Sequence, residues 1–335
     1  MARPLTLASH VAEERRRGLP QDVGGVLLDV AEGVKRVLAV LARAVVCSAS
    51  GAADCEEAPG RVAALASDLL VGACAAGGHV AAVASSELPE PRVVFRRHAR
   101  CVVAIAPLDT PSNLSVNLTV GTAFSVLRQP QHVSPGAGAF LQPGERQVAA
   151  GYALYGPCTM LVATTGREVN GFTLDAAAGE FVLTHPRMRI PDGGRELAID
   201  AARARHWEPS VSRYFEECVA GGQGPRGEDF ELRWTGSGLI DVHRVLLRGG
   251  ALVCPGGVER GRPATPRLLF EANPMALLVE RAGGAASTGR GRVLDVVPSG
   301  LHVRVPVFLG ARGEVERLVS YHADPGGGLD RLRAG

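Results

Sequence analysis

Helix-like and strand-like segments alternate along the whole chain, which predicts an α/β (or α+β) architecture of packed layers in two subdomains meeting near residue 195. Three observations predict it. Apolar residues recur at helical spacing near the N-terminus. Short apolar runs bounded by turn residues fill the middle. Helix and strand patterns mix again in the last third, and 335 residues are too many for one simple core.

Taken in order, Val26, Leu27, Val30, Val34, Val37, Leu38 and Leu41 predict a helix over 23–46. A second helix is expected from Arg61 to Cys74, and the Gly-, Ala- and acid-rich stretch Ser48 to Gly60 between them is expected to be a mobile loop. Strands are predicted at His79 to Ala84, Cys101 to Ala106, Ser115 to Leu127, Leu154 to Thr165 and Phe172 to His185, with turns at Asn170-Gly171 and Ala178-Gly179. Val211 to Cys218 and Asp241 to Leu247 look helical, and Ala251 to Val253 and Leu268 to Phe270 look like strands. Pro274 to Ala282 is a predicted helix stopped by Gly283-Gly284; Val303 to Leu309 is a buried strand, and Glu314 to His322 is a closing helix.

Composition narrows the class. Hydrophobic residues at 46% and charged residues at 21% are ordinary for a globular chain, while 4% aromatics leave the core to Val, Leu and Ala. A formal charge of +2 offers no basic face, and the short run Arg92 to Arg100 reads as an exposed loop before a strand, so no nucleic-acid partner is expected. No apolar run is long enough to span a membrane, and the charged run Glu13 to Arg17 argues against a signal peptide. The seven cysteines, odd in number and without a C-x-x-C pair, read as buried thiols of a cytoplasmic protein, not as a disulfide set or zinc site.

The run Ala106-Pro107-Leu108-Asp109-Thr110-Pro111-Ser112-Asn113 resembles the Asp-Pro-Leu-Asp-Gly-Ser-Ser-Asn signature of the class 1 fructose-1,6-bisphosphatases. Further matches follow in family order: Gly156 to Val162, Gly171-Phe172-Thr173-Leu174-Asp175, Gly179 to His185, Arg205-His206-Trp207-Glu208, Asp241-Val242-His243-Arg244, Glu271-Ala272-Asn273-Pro274-Met275, Ser287-Thr288-Gly289 and Arg304 to Gly310. The resemblance covers roughly residues 5 to 323. It implies a layered α-β-α-β-α sugar-phosphatase fold, with residues 1–195 as a metal and phosphatase subdomain and 196–335 as a sugar-binding one. It further implies a homodimer or homotetramer, and Mg²⁺-dependent hydrolysis of a sugar phosphate.

Mg²⁺ requires hard oxygen ligands. At the family's acidic positions this chain carries Ala63, Ser86 and Ala106 where carboxylates are expected, and keeps Glu87, Asp109 and Glu271. The resemblance makes Glu87 and Asp109 the catalytic acids, and Glu87, Asp109, Glu271 and the Leu108 carbonyl the metal ligands, holding one weakly bound Mg²⁺ or none. Thr110-Pro111 replaces the Gly-Ser that lets backbone N–H groups approach phosphate, and Pro111 has none to offer. Ser112 and Asn113 remain as substrate contacts. On the sugar side the family's Asn is Asp200, whose charge is expected to repel phosphate; its two Tyr are Trp234 and Cys254, its Lys is Thr265, and Arg233 and Arg267 persist as an anion site. The family's AMP-binding turn is replaced by Leu19-Pro20-Gln21-Asp22, so AMP is not expected to bind. His185 and His243 read as structural, and Gly256-Gly257 and Gly326 to Gly328 as loops.

Two functions follow. The first is a re-purposed or non-catalytic family member, a pseudoenzyme that binds a sugar phosphate. The alternative is an active Mg²⁺-dependent sugar-phosphate phosphatase with a reduced metal set and altered specificity. The missing carboxylates at Ala63, Ser86 and Ala106 favour the first.

Overall fold

The computed structural model describes residues 4–50, 59–94, 99–256 and 265–323. Helices α1 (Leu7–Arg16), α2 (Gln21–Ser50) and α3 (Pro59–Gly77) precede a sheet of eight strands. These are β1 (Val80–Ser85), β2 (Arg92–Val93), β3 (Cys101–Asp109), β4 (Val120–Arg128), β5 (Gln147–Tyr155), β6 (Thr159–Thr164), β7 (Val169–Asp175) and β8 (Glu180–His185), in the order β2-β1-β3-β4-β5-β6-β7-β8. Among the described residues of this sheet, only the β1–β3 pairing is parallel. A second sheet of five strands holds β9 (Glu196–Ile199), β10 (Glu231–Leu232), β11 (Ala251–Cys254), β12 (Ala285–Ser287) and β13 (Val307–Gly310), ordered β10-β9-β11-β13-β12. Helices α4 (Pro209–Ala220), α5 (Gly238–Arg248), α6 (Asn273–Arg281) and α7 (Arg312–Ala323) complete the chain.

Side-chain alternation builds the layers. Along β3, Cys101, Val103 and Ile105 pack toward α2 and α3, while Val102, Ala104 and Ala106 join a cluster with α5 and α6. Both faces are therefore covered, which is why this strand reads as one continuous apolar run. In the second sheet Ala198, Leu252, Val307 and Leu309 face α5 and α6, and Leu197, Ile199, Val253 and Phe308 face α4 and α7. The result is five layers, α-β-α-β-α, with α5 and α6 packed between the sheets. Each fully buried Val or Leu in these layers contributes roughly 1.5–3 kcal/mol. The two sheets divide between His185 and Glu196, yet one apolar cluster runs from Ala81 to Leu309 and joins the halves. The α2–α3 contact is close because Gly33 lacks a Cβ, which would meet Leu70 Cδ2 at 2.9 Å.

Several predicted elements differ. Pro111–Val116 is a 3₁₀ turn, followed by Asn117 in the left-handed region, so the strand begins only at Val120; Val116 and Leu118 are left exposed. The predicted strand Leu154 to Thr165 is two strands, β5 and β6, broken at Gly156-Pro157. Asn170-Gly171 lies inside β7, where a Cβ on Gly171 would stand only 3.0 Å from the His185 Cβ. Leu268 to Phe270 is not a strand but a π-helical turn, Leu268–Ala272, running into α6. Three buried apolar residues carry no period that separates the two states. Val303 to Leu309 is a strand only from Val307; before it, Arg304 bridges Arg267. Cys158 is exposed, unlike the buried Cys74, Cys101 and Cys218. The expected mobile loop falls largely on 51–58, and Arg96, Arg97, His98, Gly257 and Gly326 to Gly328 likewise lie outside the described residues. No helix among the described residues is long and apolar enough to cross a membrane.

Candidate functional site

A cavity of about 360 Å³ opens between the two sheets, where β3 and β11 end and α5 and the turn into α6 begin. Asp109 and Glu271 stand on its wall, with Asp200, Arg203, His206 and Arg304 and the indoles of Trp207 and Trp234.

Asp109 leaves the end of β3 and meets the N-terminus of α5. Its Oδ2 accepts from the Ser237 hydroxyl at 2.6 Å and from the Leu239 N–H at 3.1 Å, and its Oδ1 accepts from the Thr110 hydroxyl at 3.2 Å. Ser237 is itself the α5 cap, accepting from the Ile240 N–H. A carboxylate is favourable at a helix start, so Asp109 also clasps the two halves of the chain together. Burial pushes its carboxyl above the usual range, against the pull of these three donors. Thr110 pays for the clasp with a left-handed φ of 53°, a costly conformation for a β-branched residue, and its hydroxyl also donates to the Gly236 carbonyl at 2.9 Å.

Glu271 accepts the Arg267 N–H at 2.9 Å, and the Arg267 guanidinium lies 3.8 Å from its other oxygen. Burial, then the charge of Asp109, push it upward. Beside the cavity, Asp241 is 1% exposed: Oδ1 accepts from the Thr235 hydroxyl at 2.9 Å, and Oδ2 has no hydrogen-bond partner. Burial raises it to about 7, with Asp109 adding to the shift. Cys254, on the cavity wall, has its thiol pushed up to about 12 by burial and by the same carboxylates, and is no nucleophile at neutral pH.

The structure does not bring all the expected site residues together. Glu87 is exposed at the end of β1, bonded by the Ser86 hydroxyl, and does not line the cavity. Ala106 packs among apolar side chains facing α5 and α6, and Ala63 packs against the α2–α3 core. Leu108 is buried and apolar-packed. Ser112 is exposed; Asn113 is buried and spends its amide on the Thr119 carbonyl at 3.0 Å, latching the turn. Asp200 does line the cavity, but its charge is matched by Arg203 at 3.1 Å, so the expected repulsion of phosphate is offset. Arg233 is exposed and paired with Glu231, outside the cavity lining, and Arg267 lies behind Glu271. The basic side chains on the cavity wall are instead those of Arg203, His206 and Arg304. Arg203 and His206 sit in the turn directly after β9, at the carboxyl end of a strand where α/β crevices form; that position was the available signal. Arg304 opens a matched motif, Arg304 to Gly310, to which the resemblance attaches no site role.

The residues present fit one hydrated Mg²⁺ and no more. Mg²⁺ is commonly held by one or two carboxylates plus substrate phosphate, and Asp109 and Glu271 are two like charges, that of Asp109 raising the Glu271 carboxyl. Among the described residues no group of three or more His, Cys, Asp or Glu is placed to share an ion. At Leu19 to Asp22, which stands in place of the family's AMP turn, Asp22 is paired with Arg128 at 2.5 Å, and Pro20 precedes α2.

Helix and sheet layers alternate, and a cavity lined by carboxylates and arginines lies between the two sheets. The chain belongs to the fructose-1,6-bisphosphatase family: models of the fructose-1-6-bisphosphatase N-terminal and C-terminal domains match residues 5–186 and 190–323. It is 44% identical over 334 residues to a class 1 fructose-1,6-bisphosphatase of Hydrogenophilus thermoluteolus, covering 96% of this chain and 92% of that one. The fold is similar to Leishmania major fructose-1,6-bisphosphatase in its holo form (TM-score 0.84, 29% identity, 96% of this chain and 99% of that one). The apo form is equally similar (TM-score 0.84, 28% identity, 96% and 100%).

Proposed function

We propose that this chain is an Mg²⁺-dependent sugar-phosphate phosphatase working with a reduced metal set and altered sugar contacts, as a cytoplasmic homodimer or homotetramer. The observation that carries the reading is the cavity itself, which sets two half-buried carboxylates, Asp109 and Glu271, beside Arg203 and Arg304. The 44% identity to a class 1 fructose-1,6-bisphosphatase over nearly the whole chain supports it.

Glu271 and Asp109 would hold the metal, which when bound supplies Lewis-acid polarisation of a phosphoryl oxygen and an activated water. The chain's own residues do the rest. The Ser237 and Leu239 donors fix Asp109 in one orientation, and the Arg267 N–H fixes Glu271. The arginines supply charge for a phosphate. Trp207, held edge-on against Phe215 at 5.2 Å, and Trp234 give the sugar an apolar wall that restricts water.

The non-catalytic reading is favoured by one observation: Asp109 already accepts three hydrogen bonds, while Ala63, Ser86 and Ala106 carry no carboxylate. Phosphate release across a panel of sugar phosphates, with and without Mg²⁺, separates the two. Mg²⁺-dependent release that Glu271→Gln abolishes supports the phosphatase. Release no greater than a protein-free blank for every substrate removes it. Light scattering at micromolar concentration tests the assembly, which a monomer would contradict.

A further inference from the structure

The cavity contains a guanidinium whose charge is not matched by its surroundings. Segment 265–268 runs antiparallel to 303–305: the Leu268 N–H donates to the Val303 carbonyl at 2.7 Å, the Val305 N–H to the Pro266 carbonyl at 3.2 Å, and Arg304 bridges Arg267. This two-stranded clip fixes Arg304 beside the cavity, where its Nη1 donates to the Thr265 carbonyl at 2.6 Å. That bond uses one of the five N–H donors a guanidinium carries.

The charge balance differs from that of the other arginine on this wall. Arg203 has Asp200 at 3.1 Å. Arg304 has no carboxylate within ion-pair distance among the described residues. Its charged neighbours are Arg267, which opposes its charge, and Glu271, which favours it but is already 3.8 Å from the Arg267 guanidinium and bonded to the Arg267 N–H. Burial and Arg267 together hold Arg304 below its usual range, with Glu271 opposing them. A guanidinium stays charged in a protein, so this environment is relieved by an anion and not by loss of the proton.

We infer that Arg304 is the anion anchor of this cavity, binding a phosphate monoester group of the sugar phosphate through its unused N–H donors, beside the backbone of Thr265. The planar fork of a guanidinium matches two phosphate oxygens at once. It also places a cation beside the Thr265 carbonyl, on the cavity wall. The inference rests on the phosphatase reading only for the identity of the ligand.

The test measures binding apart from hydrolysis. In EDTA, without divalent metal, inorganic phosphate and fructose 1,6-bisphosphate are titrated calorimetrically into the full-length protein. Wild type is expected to bind the bisphosphate more tightly than inorganic phosphate. Arg304→Gln should raise the bisphosphate Kd at least tenfold and Arg304→Lys at least threefold, because lysine keeps the charge and loses the fork. Arg195→Gln, at an exposed ion pair with Glu228 outside the cavity, should change nothing. If the Gln variant does not fold, the Lys variant decides. A Kd unchanged in a folded Arg304 variant, or no binding of either anion by wild type, overturns the inference. Arg304-dependent binding without any phosphate release would remove hydrolysis and keep the anion anchor. Release unaffected by Arg304→Gln would keep hydrolysis and remove the anchor.

Discussion

Replacing Asp241 with Asn should stabilise the protein, and only above mildly acidic pH. Asp241 is buried on α5, and its Oδ2 has no hydrogen-bond partner. Its carboxyl titrates at about 7 instead of 3.8, chiefly because burial penalises the ionised form. A carboxyl raised on folding binds its proton more tightly in the native state. Its ionisation therefore costs no stability well below pH 3.8, a growing amount between 3.8 and about 7, and a constant amount above. Each tenfold displacement of an ionisation equilibrium is worth about 1.4 kcal/mol, so the full cost of the shift from 3.8 to about 7 is on the order of 4 kcal/mol at pH 8. Asn keeps an acceptor for the Thr235 hydroxyl but loses the attraction of Arg244 and gains an amide without a partner. Those losses leave a net gain of roughly 2 kcal/mol at pH 8 and little or none at pH 5. Urea unfolding at both pH values reads the difference directly. An Asp241→Asn variant no more stable than wild type at pH 8, or equally stabilised at pH 5 and pH 8, would refute the reasoning.

Two further predictions concern what the family sites have lost. Ala63→Asp, Ser86→Glu and Ala106→Asp combined should tighten Mg²⁺ binding at least tenfold by calorimetry, and should lower the metal-free melting temperature, since Ala106 is 2% exposed in an apolar cluster and a buried carboxylate there is costly; unchanged Mg²⁺ affinity would show that these positions do not face the metal. AMP should give no heat of binding at micromolar concentration, because Pro20 and Gln21 replace the anion turn and Arg128 is engaged by Asp22 at 2.5 Å; micromolar affinity would contradict this.

The layered fold was legible because its strands are buried on both faces. The alternating cluster membership of Cys101 to Ala106 comes from a run that could be seen as apolar without knowing its partners. What the pattern could not carry was the local backbone. The π-helical turn at Leu268–Ala272 and the 3₁₀ turn at Pro111–Val116 are set by neighbours and by Pro111, not by a hydrophobic period. The site was legible in part. Asp109 and Glu271 stand on the cavity, where motif order placed them, but the capping bonds from Ser237 and Leu239 join positions more than a hundred residues apart in sequence, and no spacing reveals them. Asp200 looked repulsive in isolation; its partner Arg203 is three residues on, within one turn. Arg304 is brought to the cavity by pairing with the Arg267 segment, a contact invisible along the chain.

The central claim is that this chain hydrolyses a sugar phosphate with Mg²⁺ held by Glu271 and Asp109. Phosphate release from fructose 1,6-bisphosphate at millimolar Mg²⁺, by protein freed of contaminating phosphatase, tests it most directly. The account predicts release that stops in EDTA, returns with Mg²⁺ and falls on the order of 10²–10³-fold in Glu271→Gln. Release that is absent from wild type, or that Glu271→Gln leaves unchanged, would contradict it.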